Sequence, residues 1–355
     1  MANCVVVGGG LIGMLSAREL KKAGFDVLLL EKGLLGQESS WAGGGILSPL
    51  HPWQYSDAVN ELASIGHQAY PQLAQELLEQ SGIDPEYFRC GMLVLHSAQQ
   101  QCERLSKAER WAEKWSMKLS SVSSQNELQS IAPGLSPRHK QGFWMPDIAQ
   151  LRNPRLVKSV RGSLDALDIP YKENSLVEEI SVVNGKVKGV KVNRRQYPAD
   201  CVLVAGGAWS AQILRSCPSP VPDISPVKGQ MILFKGRPGQ LKTIILADNR
   251  YLIPRKDGRI LCGSTIEKSG FDKSVSDDVK QALLHSAVQL FPELEALPVE
   301  HHWSGLRPGS PQGEPYIGRQ CDIEGLYINA GHFRNGVILG LGSAQRITEM
   351  MLSDA

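Results

Sequence analysis

The feature that most constrains the fold is a run of glycines that follows a short apolar segment near the N-terminus. Residues 4–7 are apolar and suit a first buried strand, and residues 11–23 have the periodicity of a helix. The six residues at their junction, Gly-Gly-Gly-Leu-Ile-Gly, form a G-x-G-x-x-G motif. With a second apolar run at 27–30, the pattern predicts a βαβ unit of the Rossmann type.

This motif has a chemical meaning at each glycine. Gly8 allows the tight turn, Gly10 lets a pyrophosphate approach the backbone, and Gly13 lets the helix pack on the sheet. The anion then lies at the helix N-terminus, where free N–H groups and the helix dipole favour negative charge. Glu31, eighteen residues after Gly13, is placed to accept the ribose hydroxyls of an adenosine. An acid there disfavours NADP, but the motif leaves both FAD and NAD open, as well as a plain tight turn.

Two further glycine sites also follow apolar runs. The run 201–204 leads into Ala205-Gly206-Gly207 and then Trp209, where small residues let a flat ligand pass close to the backbone. The run 326–330 leads into a second glycine turn, 331–336, before a helix. The dipole of that helix would stabilise negative charge on a reduced flavin. Taken alone, each site is also explained by an ordinary strand, turn and helix.

Composition narrows the possible classes of protein. The chain has 355 residues, enough for about two domains, and its formal net charge of +2 is too balanced for an electrostatic nucleic-acid binder. Seven scattered cysteines argue against a disulfide framework or a structural zinc site. No apolar stretch is long enough for a transmembrane helix, and the N-terminus does not have the pattern of a signal peptide. We therefore expect a cytoplasmic protein with no integral membrane segment.

The remaining patterns predict an α/β protein, α+β overall, with a second sheet. A helix is expected over residues 57–80, ending near Gly82, and antiparallel strands over 226–265, with turns or bulges at Gly229, Gly236, Gly258 and Gly263. Parallel-type strands at both ends and in the middle predict a discontinuous Rossmann-type FAD-binding domain, 1–85, 141–213 and 305–355. An antiparallel-sheet substrate domain is expected at 86–140 and 214–304.

Taken together, these segments resemble the D-amino acid oxidase family of FAD-dependent amine oxidases, and within it the glycine-oxidising branch that serves thiamine thiazole synthesis. The most specific segments are Pro226-Val227-Lys228-Gly229, Tyr251-Leu252-Ile253-Pro254-Arg255, Gly305-Leu306-Arg307-Pro308-Gly309 and Gly331-His332-Phe333-Arg334-Asn335-Gly336.

The resemblance implies a non-covalent FAD, since Cys321 lacks the flanking residues of relatives that bind flavin covalently. The implied FAD contacts follow the glycine turn, the second strand, the loop after it and the two later turns: Gly8, Gly10, Leu11, Ile12, Gly13, Glu31, Lys32, Ser39, Ser40, Gly44, Gly45, Ile46, Val177, Ala205, Gly206, Trp209, His332, Phe333, Arg334, Asn335, Gly336, Val337 and Ile338.

The resemblance also implies a substrate site for a small amino acid. Arg307 would bind the carboxylate bidentately, Tyr251 would donate its hydroxyl to it, Arg334 would accept from the amino group through its backbone, and Ile266 would set the size of the pocket. As an isolated feature, an arginine such as Arg307 is more often a surface or ion-pair residue, and a tyrosine in a strand such as Tyr251 is ordinarily a packing residue. Hydride transfer to flavin and reoxidation by O₂ would give glyoxylate, ammonia and H₂O₂, with no protein group acting as general acid or base.

Alternatives from the same residues are a sarcosine or small D-amino acid oxidase or dehydrogenase on this scaffold, a non-catalytic flavin- or NAD-binding module, and an NAD-dependent dehydrogenase. No metal is expected, because His301 and His302 would point to opposite faces of a strand. The family relation implies a homo-oligomer, and the sequence indicates no surface for it.

Overall fold

A computed structural model describes residues 2–96, 101–218, 220–320 and 322–354. In chain order the helices are α1 Leu11–Lys22, α2 Ser39–Ala42, α3 Asp57–Ser81, α4 Gln101–Lys114, α5 Gln125–Ile131, α6 Asn153–Ala166, α7 Ser210–Leu214, α8 Asp277–Leu290 and α9 Gly336–Ser353. The end of α3 is where the sequence predicts it, because Gly82 has a φ of 68° and its N–H donates to the carbonyl of Leu78.

The strands belong to four sheets. In chain order they are β1 Asn3–Val7, β2 Asp26–Leu30, β3 Phe88–Arg89, β4 Met92–Leu95, β5 Ser120–Val122, β6 Gly142–Met145, β7 Ala149–Gln150, β8 Tyr171–Lys172, β9 Glu179–Val183, β10 Lys186–Val192, β11 Arg195–Pro198, β12 Cys201–Val204, β13 Ser225–Phe234, β14 Ile244–Ala247, β15 Arg250–Pro254, β16 Ile260–Gly263, β17 Val299–Gly309, β18 Tyr316–Arg319 and β19 Leu326–Ala330.

The first sheet has six strands in the order β18-β19-β12-β1-β2-β8, all parallel except the edge strand β18. The central strands are apolar on both faces because both are covered. On one face α1 and α9 pack against the sheet and α3 and α6 pack on these helices, so that all four share a single apolar core with the sheet. On the other face lies the small antiparallel sheet β11-β10-β9. The predicted α/β class and the parallel βαβ unit are confirmed.

The order and direction of the strands in this sheet determine where a ligand can bind. Strand β1 pairs with β2 and β12, and β12 pairs with β19, so that the carboxyl ends of these four strands meet at one edge. The residues that follow them are Gly8, Glu31, Ala205 and Gly331. In open parallel sheets, ligands bind in the crevice at that edge.

The second large sheet has eight strands in the order β17-β13-β16-β15-β14-β4-β6-β5. Its pairs are antiparallel, as predicted for residues 226–265, except that β14 pairs in parallel with β4. The interpretation of Gly229 as a turn or bulge is wrong: it lies inside β13, in register with Gly305 of β17. The backbone is extended there, and the missing side chain makes room for another residue, described below.

The predicted division into two domains stays a prediction, because the presence of two large sheets does not by itself define a domain boundary. Strand β17 runs across the predicted boundary between residues 304 and 305. Among the helices of the described ranges, none has the length and apolar character needed to cross a bilayer.

Candidate functional site

A cleft of about 300 Å³ lies at the carboxyl edge of the six-stranded sheet and extends to the eight-stranded sheet. Most of the residues that the sequence predicts for cofactor and substrate line it: Gly8, Gly10, Leu11, Ile12, Glu31, Lys32, Ser39, Ser40, Gly44, Gly45, Ile46, Val177, Ala205, Gly206, Trp209, Tyr251, Arg307, His332, Phe333, Arg334, Gly336 and Val337. The cleft therefore brings together residues from both ends of the chain and from both large sheets.

Four of the predicted residues do not line the cleft. Gly13 lies inside α1, where a Cβ would collide with the carbonyl oxygen of Gly8, so its role is in packing. Ile338 is fully buried in the core beneath α9, and Asn335 is the N-cap residue of that helix. Ile266 is 49% exposed.

The glycine turn after β1 has the geometry that an anion needs. Gly8 has a φ of 114°, in the region that favours glycine, and its Cα lies against the carbonyl of Ala205 after β12. Helix α1 starts at Leu11 with Gly10 as its N-cap, and no side chain of that cap accepts from the first turn, which also has no acidic residue. The N–H of Leu11 donates to Ser40, so it is the remaining N–H donors of the first turn and the positive end of the dipole that face the cleft.

Glu31, directly after β2, fixes the other side of this turn. Its carboxylate accepts from the N–H of Gly9 at 2.6 Å and from the N–H of Gly33 at 2.9 Å, and it is only 8% exposed. A carboxylate can accept about four hydrogen bonds, so two backbone donors leave capacity for a ligand hydroxyl. Lys32 follows, with its Nζ 3.1 Å from the centre of the Trp209 ring, and burial lowers the pKa of this lysine.

The loop after β2 lines the middle of the cleft with residues that have almost no side chain. Ser40 comes first, and its Oγ accepts from the N–H of Leu11 at 2.8 Å. Gly44 and Gly45 follow, and Gly45 has a φ of 78° with its Cα against the carbonyl of Leu151. A planar ring can approach such a backbone closely, which agrees with the implied flavin contacts.

The turn after β19 closes the cleft from the far end of the chain. The N–H of Phe333 donates to the carbonyl of Pro308 at 2.9 Å, which joins this turn to the end of β17. His332 is fully buried, and its Nε2 lies 3.0 Å from the hydroxyl of Ser343. Burial lowers the pKa of His332 to about 3, so this imidazole is neutral near pH 7.

Arg307 lies on β17 at the end of the cleft that faces the eight-stranded sheet. Its guanidinium donates to the carbonyl of Thr265 at 3.1 Å and to the hydroxyl of Ser264 at 2.7 Å, and burial lowers its pKa. Arg334 lies close enough to lower that pKa further, and Tyr251 close enough to raise it. Nη2 of Arg334 is buried and has no hydrogen-bond partner.

Two guanidinium groups thus share one pocket without a directly paired carboxylate. Glu267 raises the pKa of Arg307, but its ion pair is with Lys228 at 3.4 Å. In the part of the chain that the structure describes, no carboxylate forms an ion pair with Arg307 or Arg334. Partly buried charges of the same sign are unfavourable together unless an anion lies between them. The arrangement therefore fits a small carboxylate beside a phosphate-bearing cofactor, and the open glycine turn fits that cofactor's pyrophosphate.

Four residues that the sequence reasoning did not place at the site contribute to it. Gly229 makes room for Arg307, because a Cβ there would lie 2.5 Å from the Cζ of that side chain. Met231 lines the cleft beside Tyr251, with its Sδ 3.9 Å from the tyrosine hydroxyl. Asn153, fully buried, donates to the carbonyl of Ser40 at 2.7 Å, and Arg255 donates to the carbonyl of Gly44 at 2.9 Å. These contacts join segments far apart in sequence, so no local pattern could reveal them.

The absence of a metal and the non-covalent binding of FAD both stay predictions from the sequence. The described residues contain no group of three or more His, Cys, Asp or Glu side chains placed to bind a metal ion. Cys321 lies outside the described residues, so the prediction of non-covalent FAD rests on its flanking sequence alone.

Comparison with known proteins identifies the family. The family model described as FAD dependent oxidoreductase, DAO, matches residues 3–350. The glycine oxidase of Pseudomonas aeruginosa is 43% identical over 98% of this chain and 94% of its own length. A bifunctional protein ThiO/ThiG of Synechocystis is 29% identical over 99% of this chain, which corresponds to 52% of that protein.

Solved structures give the same result for the fold. The crystal structure of glycine oxidase from Geobacillus kaustophilus superposes with a TM-score of 0.93 at 26% identity, covering 99% of this chain and 95% of the other. That of glycine oxidase from Bacillus cereus superposes with a TM-score of 0.91 at 28% identity, covering 100% and 96%.

The hydrogen bonds of Glu31 lead to a first testable prediction. Glu31→Ala removes the acceptor of two backbone N–H groups at the glycine turn, so the turn loses its anchor. We expect the FAD dissociation constant of purified Glu31→Ala protein to be at least tenfold higher than that of wild type, measured from the flavin fluorescence released on dilution of the holoenzyme. Asp26→Ala, at the exposed start of the same strand, is the matched control and should retain FAD as wild type does. Equal retention by both variants would contradict the prediction.

Proposed function

The chain belongs to the family of FAD-dependent oxidoreductases, and we propose that it oxidises the Cα–N bond of glycine and of closely similar small amino acids. The observation that carries the proposal is the pocket in which Arg307, Arg334 and Tyr251 meet in the same cleft as the glycine turn. The 43% identity to a glycine oxidase over nearly the whole chain supports this choice of substrate.

Arg307 is the residue that would bind the carboxylate of the amino acid. Its planar guanidinium matches a carboxylate with two parallel hydrogen bonds, and the carbonyl of Thr265 and the hydroxyl of Ser264 hold it in place. Tyr251, 6% exposed, would donate its hydroxyl to the same carboxylate. Arg334 adds positive charge to the pocket, and its backbone would accept from the amino group of the substrate.

Catalysis by these residues would consist of binding and orientation. FAD, when bound, supplies the two-electron acceptor for the Cα–H bond of the substrate. Residues that hold the carboxylate fix the position of Cα, and such positioning lowers the entropic part of the activation barrier. Over the whole reaction, glycine, O₂ and water give glyoxylate, ammonia and H₂O₂.

The proposal does not need a protein group as general base. His332 is the imidazole that lines the cleft, and with a pKa lowered to about 3 by burial it is too weak a base to accept a proton near neutral pH. The substrate would therefore react with its amino group already neutral.

The small size of the substrate would follow from the side chains around the clamp. Met231 and Tyr251 are both buried, line the cleft and contact each other, so they occupy space that a larger side chain would need. Discrimination by one methylene is worth only ~1–3 kcal/mol, so sarcosine and D-alanine remain expected weaker substrates. We propose in addition that the imine serves thiamine thiazole synthesis, supported by the match to the bifunctional protein ThiO/ThiG. A cytoplasmic location and a homo-oligomer stay predictions.

The proposed activity has a direct spectroscopic test. The purified protein should show an oxidised flavin band near ~450 nm, and anaerobic glycine should bleach it. On admission of air the band should return with formation of H₂O₂. A band that persists with glycine but bleaches with sarcosine or D-alanine would change the substrate. One that no amino acid bleaches would indicate a non-catalytic flavin module.

Removing the clamp should affect substrate binding and leave the cofactor in place. Hydrogen bonds to charged groups contribute ~1.5–3 kcal/mol each, so loss of two predicts that kcat/KM for glycine falls by roughly 10²–10⁴-fold in Arg307→Ala. FAD content should be unchanged. Arg319→Ala, an exposed arginine of β18, is the control. A KM within about twofold of wild type would show that Arg307 does not bind the substrate.

Gly229 offers a second test that leaves the arginine itself intact. In Gly229→Ala the new methyl group would overlap the Arg307 guanidinium, which has to move out of its contacts with Ser264 and Thr265. We expect KM for glycine to rise at least tenfold with normal FAD content, measured by steady-state oxygen consumption. Unchanged KM would mean that the guanidinium has room to shift without loss of binding.

A further inference from the structure

Arg255 is a buried cation beside the cleft that the proposed reaction does not use. It follows β15, is 7% exposed, and burial lowers its pKa to about 10, so it still carries its charge near pH 7. It donates to the side chain of Gln150, to the carbonyl of Leu151 at 3.0 Å and to the carbonyl of Gly44 at 2.9 Å. All three acceptors are neutral.

The nearest acidic groups are occupied by other cations. Arg152 lies 2.8 Å from Asp257 and 3.4 Å from Glu86, and Arg259 lies 2.9 Å from Asp257. Among the described residues, no carboxylate forms an ion pair with Arg255 itself. A buried charge without a counter-ion is costly, so the hydrogen bonds of the Arg255 guanidinium have to offset the cost of its burial.

Those hydrogen bonds hold the segment Gly43–Gly45, which we call the glycine strap. The strap lines the cleft with three consecutive glycines, the residue type that loses most conformational entropy on folding. Contacts from outside the strap therefore have to offset this entropic cost. The Gly45 carbonyl accepts from the N–H of Leu151 at 2.9 Å, and Arg255 links the Leu151 carbonyl to that of Gly44. The guanidinium thus connects the strap to β7 and the residue after it.

We propose that Arg255 is a positioning residue for FAD: its guanidinium fork fixes the glycine strap, and its charge stabilises negative charge on the reduced cofactor in the adjacent cleft. The fork matters because it bridges two carbonyls from fixed directions, which an ammonium group does less well. The charge matters because it acts through a buried region, where screening by water and salt is weak. This role depends on FAD as the cofactor and not on the identity of the amino acid.

The test compares Arg255→Met, Arg255→Lys and a control variant as holoenzymes. Arg255→Met keeps length but removes fork and charge. We expect its FAD dissociation constant, from flavin released on dilution, to rise at least tenfold and its flavin reduction potential to become more negative. Arg255→Lys keeps the charge, so the potential should stay close to wild type while FAD binding weakens by three- to tenfold.

Arg259→Met is the matched control, since Arg259 lies in the turn between β15 and β16, four residues after Arg255, and its side chain pairs with Asp257 and Glu300. It should leave the FAD dissociation constant within twofold of wild type and the flavin reduction potential unchanged. The proposal is wrong if Arg255→Met binds FAD within twofold of wild type, or if its holoenzyme has the wild-type potential. If Arg255→Met does not fold, wild-type FAD affinity in Arg255→Lys overturns the role of the fork. Both readings are made without glycine, so they are independent of the proposed substrate.

Discussion

The whole site depends on how closely two pieces of backbone can approach at the end of β1. Gly8 touches the carbonyl of Ala205, and Gly13, one turn into α1, touches the carbonyl of Gly8. Any side chain at these positions would separate α1 from the sheet and move its N-terminus away from the cleft. Glu31 fixes the same turn from the neighbouring strand through the N–H of Gly9. The position of the helix dipole, and with it the end of the cleft proposed for the pyrophosphate, follows from these contacts.

The other end of the cleft is organised by unpaired positive charge. Arg307, Arg334 and Arg255 are three guanidinium groups whose hydrogen-bond partners among the described residues are neutral or absent. Two of them face the substrate pocket, and the third lies behind the glycine strap. A protein accepts this electrostatic cost where bound anions and developing negative charge compensate it. The nearby carboxylate of Asp257 forms its ion pairs with Arg152 and Arg259 instead.

Much of the fold could be predicted because its strongest patterns are local. The glycine turn, the acid at Glu31, and the strands ending at Val204 and Ala330 are each contained in a short stretch of sequence, and the structure has them where they were expected. What sequence could not give is which residue lies across a sheet from which. Gly229 faces Arg307 only because β13 pairs with β17 in one register, and a glycine within a strand resembles a turn when its partner is unknown. Arg255 and Asn153 were missed for the same reason, since both act on a loop more than a hundred residues away. Ile266 is exposed and does not line the cleft, so its role in setting the size of the pocket stays a prediction from the resemblance.

The strand order has a further consequence for how this molecule comes into being. β1 is central in its sheet, yet one of its two neighbours, β12, lies almost 200 residues later, with Cys201 in register with Cys4. Helix α9, later still in the chain, packs on α1. During synthesis, β1 therefore has one unpaired edge until β12 has been made, and α1 has one uncovered face until α9 has been made. Such high contact order slows folding and exposes apolar surface in the interim. The cleft is lined both by the turn after β1 and by the turn before α9, so we expect FAD to bind only after α9 has docked on α1.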